Sequence, residues 1–171
     1  MIAPQEHPAT VLKRIQITYD RVEGWRGSAN WTTLWHELPA RSSTASDMTR
    51  CLVLVVEDEP LIAMFLREFL ELIGHDVCAV ATTEDEAVAA ATKWRPTLLI
   101  IDEHLKEGSG LAAMDRIELS GPVPHIFVSG DVARIRSLRP DAEVLRKPYT
   151  PDELEHAIRR AMAKSDPLPP A

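Results

Sequence analysis

Residues 51–164 predict an α/β fold in which a doubly wound, five-stranded parallel sheet carries helices on both faces. Three observations carry that expectation. Short β-branched runs recur five times, a helical apolar repeat follows each, and charged or hydroxyl residues stand where the runs end.

The first run, CLVLVVE (51–57), precedes PLIAMFLREFLELIG (60–74), with Pro60 suited to a first helical turn and Gly74 to a stop. DVCAVA (76–81) leads into TEDEAVAAATKW (83–94), and TLLIID (97–102) into SGLAAMDRIEL (109–119). PHIFVS (124–129) precedes DVARIRSL (131–138), a brief fourth helix. AEVLRK (142–147) precedes PDELEHAIRRAMAK (151–164), whose acidic first turn and basic last turn suit the helix dipole. Right-handed crossovers between such units give the flavodoxin-like strand order 2-1-3-4-5, with working groups beyond the carboxyl ends of the strands.

Composition narrows the classes. A chain of 171 residues with 45% hydrophobic and 26% charged residues is long enough for one ordinary core. Residues 1–47 hold five Lys/Arg against five Asp/Glu, and residues 48–171 fourteen against twenty-one. The net charge of −7 therefore belongs to the C-terminal part, which argues against the basic face that direct nucleic-acid binding needs. Cys51 and Cys78, each at the edge of an apolar run, read as buried reduced thiols. No run approaches the ~20 apolar residues of a membrane span, and the N-terminus lacks the order of a secretory signal. A cytoplasmic setting without membrane contact is the expectation.

Residues 1–47 read differently, with Trp25, Trp31 and Trp35, a short helix at 10–16, and RSSTAS (41–46) as a linker. Two readings stand: an extension without fixed structure, or a start-site artefact, since Met48 directly precedes TRCLVLVVEDEP. A native peptide from 20–35 would exclude the second. The domain itself is taken as 48–165, with 166–171 as a disordered tail.

In the order 2-1-3-4-5, Glu57 and Asp58 after the first strand, Asp102 at the third, Ser129 at the fourth and Lys147 at the fifth converge on one cleft. Carboxylates crowded together repel unless a cation sits among them, and an oxygen-only ligand set favours Mg²⁺. Lys147 and Ser129 supply a point charge and a hydroxyl donor for phosphoryl oxygens. Asp102 then reads as a carboxylate nucleophile that forms an acyl phosphate. Taken singly, each group has a plainer reading: an acidic helix start, a cap, a turn serine, a chance Lys-Pro. Their joint placement at four strand ends does not.

Over residues 51–164 the chain resembles the receiver domain of two-component response regulators. VVEDEP (55–60) looks like the acidic-pair motif, LLIIDEHLKEGSG (98–110) like the phosphoacceptor motif, FVSGD (127–131) like the Ser/Thr motif and RKPY (146–149) like the Lys-Pro motif. The resemblance implies that Asp102 is the phosphorylated aspartate and that Asp58 and Asp102 ligate Mg²⁺ directly. It further implies Glu57 acting through water, and the backbone carbonyl of His104 as another ligand. Ser129 and Lys147 would bind the phosphoryl oxygens, Gly130 would leave the phosphoryl path open, and the Lys147–Pro148 bond would be cis. His104 and Asp131 would flank the site and tune dephosphorylation. Val144 stands where receivers usually carry a switching aromatic. PHIFVSG (124–130) partly resembles a segment of an atypical alphaproteobacterial subgroup that lacks that aromatic, with His125 in place of Phe.

The resemblance implies a stand-alone phosphoacceptor, with partners in a sensor histidine kinase or histidine phosphotransfer protein and an unknown downstream protein, and it allows a homodimer. Its own catalysis would be limited to self-phosphorylation and slow self-dephosphorylation, so it would not be an enzyme in the usual sense. Two alternatives compete. One is an interaction-only pseudo-receiver, favoured by Val144. The other is an aspartyl-phosphate phosphatase, disfavoured because His104 stands where such enzymes place a second Asp.

Overall fold

The computed structural model describes residues 50–165. The extension at 1–47, its helix at 10–16, its linker, and the tail at 166–171 lie outside them. Among the described residues the strands are β1 (Leu52–Val56), β2 (Asp76–Ala81), β3 (Leu98–Asp102), β4 (His125–Ser129) and β5 (Glu143–Arg146). They alternate with α1 (Pro60–Leu72), α2 (Glu84–Trp94), α3 (Gly110–Glu118), α4 (Val132–Leu138) and α5 (Pro151–Ser165). All four strand pairings are parallel, and the sheet order is β2-β1-β3-β4-β5, as the alternating pattern predicts.

Local chemistry sets the helix starts. Thr83, Ser109 and Asp131, each expected inside a helix, stand just outside as N-caps whose side chains accept the N–H of Glu86, Ala112 and Arg134. At α5, Thr150 Oγ accepts the Glu153 N–H at 3.2 Å, while Glu153 Oε2 accepts the Thr150 N–H at 2.7 Å, a reciprocal capping box. α1 opens on Pro60, and the chain leaves it through Gly74, whose φ of +99° is a left-handed conformation that favours glycine.

The sheet buries both faces, which is why its strands read as continuous apolar runs. On one face Leu54, Val56, Leu99, Ile101, Phe127 and Val144 pack with Met114 and Ile117 of α3 and Ile135 of α4. On the other, α1 covers β1 and β2 through Leu66, Phe69 and Leu70, and α5 covers β4 and β5 through Leu154 and Ile158. Each such side chain contributes about 1.5–3 kcal/mol of burial free energy. Cys51 is buried as expected, whereas Cys78 is only half-buried and its thiol donates to the Val53 carbonyl at 3.3 Å. No described helix is long and apolar enough to cross a membrane.

Strands β1 and β5 end one residue sooner than the apolar runs suggest, so Glu57 and Lys147 lie just past the ladder. Their backbones still pair: the Glu57 N–H donates to Ala81 O at 2.9 Å and the Lys147 N–H to Ser129 O at 2.8 Å. These bonds fix both side chains at the carboxyl edge of the sheet.

Candidate functional site

Asp102 ends β3 and is only 7% exposed. Its Oδ2 accepts Lys147 Nζ at 2.6 Å, and its Oδ1 accepts the backbone N–H of His104 at 3.1 Å. Lys147 Nζ also lies 3.6 Å from Glu57 Oε2, so one ammonium stands between two carboxylates. The peptide bond between Lys147 and Pro148 is cis, as expected. Asp58, half-buried beside them, accepts the Lys106 N–H at 3.0 Å, with the Lys106 ammonium 3.8 Å away.

Oxygen atoms of Glu57, Asp58 and Asp102 all lie within 4.8 Å of one another. Three carboxylates that close, with oxygen-only donors, form a set that fits a hard divalent cation such as Mg²⁺. The electrostatics agree. Burial pushes the Glu57 carboxyl up to about 7; Lys147 opposes the shift, and Asp102 and Asp58 add to it.

Ser129 ends β4, fully buried, on the strand that pairs with β3 through Asp102 and Val128. Its hydroxyl donates to Glu103 Oε2 and its oxygen accepts the Asp131 N–H at 2.9 Å. Glu103, which the sequence reading passed over, is a second buried carboxylate at 2% exposure. Its Oε1 accepts Arg134 Nη1 from α4 at 2.5 Å. The signal available in the sequence was the second acidic residue directly after Asp102, which on a strand must point to the opposite face.

The remaining expected residues differ in how they are placed. Gly130 is exposed, and a Cβ built there meets nothing within 4 Å, so the position is open. The His104 side chain is exposed, with Nδ1 3.6 Å from Glu103 Oε2. Asp131 is also exposed, and its carboxylate is engaged in capping α4. Val144 is buried in the core beside Phe127, its partner in the β4–β5 register, rather than at the cleft.

Behind Asp102 sits Gly110, the first residue of α3. A Cβ there would lie 2.1 Å from the Asp102 carbonyl oxygen and 2.7 Å from Ile101 Cγ2, so only glycine lets the helix approach this closely.

A family model of the response regulator receiver domain matches residues 53–159. The phyllosphere-induced regulator PhyR of Methylorubrum extorquens is 39% identical over 114 residues, covering 64% of this chain and 43% of that regulator. The chain thus spans less than half the length of that relative. The solution structure of the PhyR receiver domain of Erythrobacter litoralis is 31% identical with a TM-score of 0.64, covering 72% of this chain and 98% of that domain. PhyR of Brucella abortus is 28% identical with a TM-score of 0.66, covering 81% of this chain and 58% of that structure. With motifs, strand order and acidic cleft all in agreement, the chain belongs to the response-regulator receiver domains, with PhyR proteins of the atypical alphaproteobacterial type among its relatives.

Proposed function

We propose that Asp102 accepts a phosphoryl group from a phosphohistidine on a sensor histidine kinase or histidine phosphotransfer protein, and that the chain relays the signal by protein contact or onward phosphotransfer. The observation that carries this reading is the Asp102 carboxylate held 2.6 Å from Lys147 at the carboxyl edge of the sheet, with Glu57 and Asp58 alongside. A carboxylate oxygen of Asp102 attacks phosphorus. The P–N bond to the donor imidazole breaks, its electron pair stays on nitrogen, and an acyl phosphate forms.

Asp58 and Asp102 would hold Mg²⁺ directly, with Glu57 through water and the His104 carbonyl as a further ligand. The ion would supply the positive charge that lets an anionic donor approach three carboxylates. Lys147 and Ser129 hold equatorial phosphoryl oxygens, and the openness at Gly130 leaves room for them. His104 and Asp131 set the phosphate lifetime; an unchanged half-life in the His104→Ala, Asp131→Ala double variant would reject that role.

Intact-protein mass spectrometry after incubation with Mg²⁺ and acetyl phosphate tests the central claim. The expected result is a gain of one phosphoryl mass that Asp102→Ala abolishes. The grip of Glu103 on the Ser129 hydroxyl joins Val144 at the switch position in favouring an interaction-only module. That reading takes over if neither acetyl phosphate nor a phosphorylated kinase modifies the wild type.

A further inference from the structure

Glu103 is a charged residue in a buried position. A carboxylate with 2% exposure, one residue from the buried Asp102, is costly unless both its oxygens are engaged. They are: Oε2 takes the Ser129 hydroxyl and Oε1 takes Arg134. The backbone of Glu103 is equally held, its N–H donating to Val128 O at 3.1 Å and its carbonyl accepting the Gly110 N–H at 3.0 Å. The strand pleat therefore sends Asp102 toward the acidic cleft and Glu103 toward the face that α4 covers.

Ser129 has a single hydroxyl proton, and Glu103 holds it. If Ser129 is to donate to a phosphoryl group on Asp102, it must let go of Glu103. The first turn of α4 depends on the same two residues, since the Asp131 N–H donates to Ser129 Oγ and Arg134 pairs with Glu103. Helix α4 has seven residues with Ile135 as its buried side chain, and its C-cap Arg139 pairs with Asp115 and Glu118 of α3, so Glu103 and Ser129 are what hold its first turn from the cleft side. Val144 presents no polar atom that could sense the cleft.

Resting on the phosphoacceptor reading above, we propose that Glu103 is a latch: it holds Ser129 and α4 while Asp102 is unmodified, and a phosphoryl group draws Ser129 away and so releases α4. A phosphoryl dianion is a stronger acceptor than the carboxylate it displaces Ser129 from, and its charge also repels Glu103. Glu103 is a positioning residue in this scheme; it reaches the phosphoryl group only through Ser129.

The test is titration of the full chain with beryllofluoride and Mg²⁺ as a phosphoryl mimic, followed by fluorine NMR, with hydrogen exchange of the amides at 132–138 read in parallel. Wild type is compared with Glu103→Gln, which keeps the shape, and Glu103→Leu, which removes the latch. Both variants should bind the mimic more tightly, by about tenfold for Glu103→Leu, since a charge-assisted hydrogen bond no longer competes. In Glu103→Leu, exchange at 132–138 should already be raised before the mimic is added. Arg134→Ala should bind the mimic while its α4 exchange no longer responds to it. Equal affinities in wild type and both Glu103 variants would overturn the latch while leaving the phosphoacceptor reading intact. Binding in the variants alone would support it more strongly. No binding in any of the proteins would overturn the phosphoacceptor reading, and the latch with it.

Discussion

Replacing Gly110 by alanine adds one methyl group at the point where α3 comes closest to the back of the phosphoacceptor strand. That methyl would sit 2.1 Å from the Asp102 carbonyl oxygen, where an ordinary contact is about 3.5 Å, so the helix start must retreat by about 1.4 Å. The atom it meets is backbone, which cannot swing aside as a side chain would. Overpacking of this kind costs about 2–3 kcal/mol, and the bond from the Gly110 N–H to Glu103 O, worth about 1 kcal/mol, is strained with it. Alanine's better helix propensity returns at most about 1 kcal/mol, so the clash wins. The expected net loss is about 2–3 kcal/mol, or roughly 8–12 °C in Tm for a domain of this size. Urea and thermal melts measure it, with Gly130→Ala as the control, since a Cβ there meets nothing within 4 Å. A Gly110→Ala protein as stable as Gly130→Ala would refute the close-approach argument.

Other substitutions follow from charge and burial. Lys147→Met removes the ammonium that stands between Asp102 and Glu57 at 2.6 and 3.6 Å, so Mg²⁺ no longer competes with it and should bind several-fold more tightly by calorimetric titration. Burial holds the His75 imidazole below its usual range, against the opposite pull of Glu155 and Asp76, so the folded state keeps it neutral while the unfolded chain takes a proton near pH ~6.5. The unfolded state thus binds more protons below that pH. Stability is fully present above it and falls as the pH drops, by at most about 1.4 kcal/mol per pH unit, and His75→Asn should flatten that dependence in urea midpoints. Arg160→Ala leaves the buried Glu143, paired at 2.7 Å, with Lys164 alone; because the guanidinium is half-exposed, the cost should be only about 1 kcal/mol in the same melts.

The sheet order and the meeting of Glu57, Asp58, Asp102 and Lys147 at one edge of the sheet were legible in the sequence because both rest on local signals. Apolar runs mark the strands, caps and stops mark the helices, and right-handed parallel crossovers leave one arrangement in which those strand ends meet. The helix boundaries missed by a residue or two: Thr83, Ser109 and Asp131 are caps, α1 ends at Leu72, and α3 ends at Glu118. What the sequence could not decide was which groups close on one another across long separations. Asp131 read as a residue that tunes the phosphate lifetime, and only the folded chain shows that its carboxylate also caps α4. In the sequence Gly110 only closes the segment 98–110, and the packing of α3 on β3 is what shows that a side chain has no room there. In the sequence Glu103 is one of several charges that follow Asp102. The pleat turns it away from Asp102 and into a buried space, where its partners come from 26 and 31 residues along the chain. A linear pattern records which face a residue takes; the partner waiting on that face is set by how the strands and helices pack together.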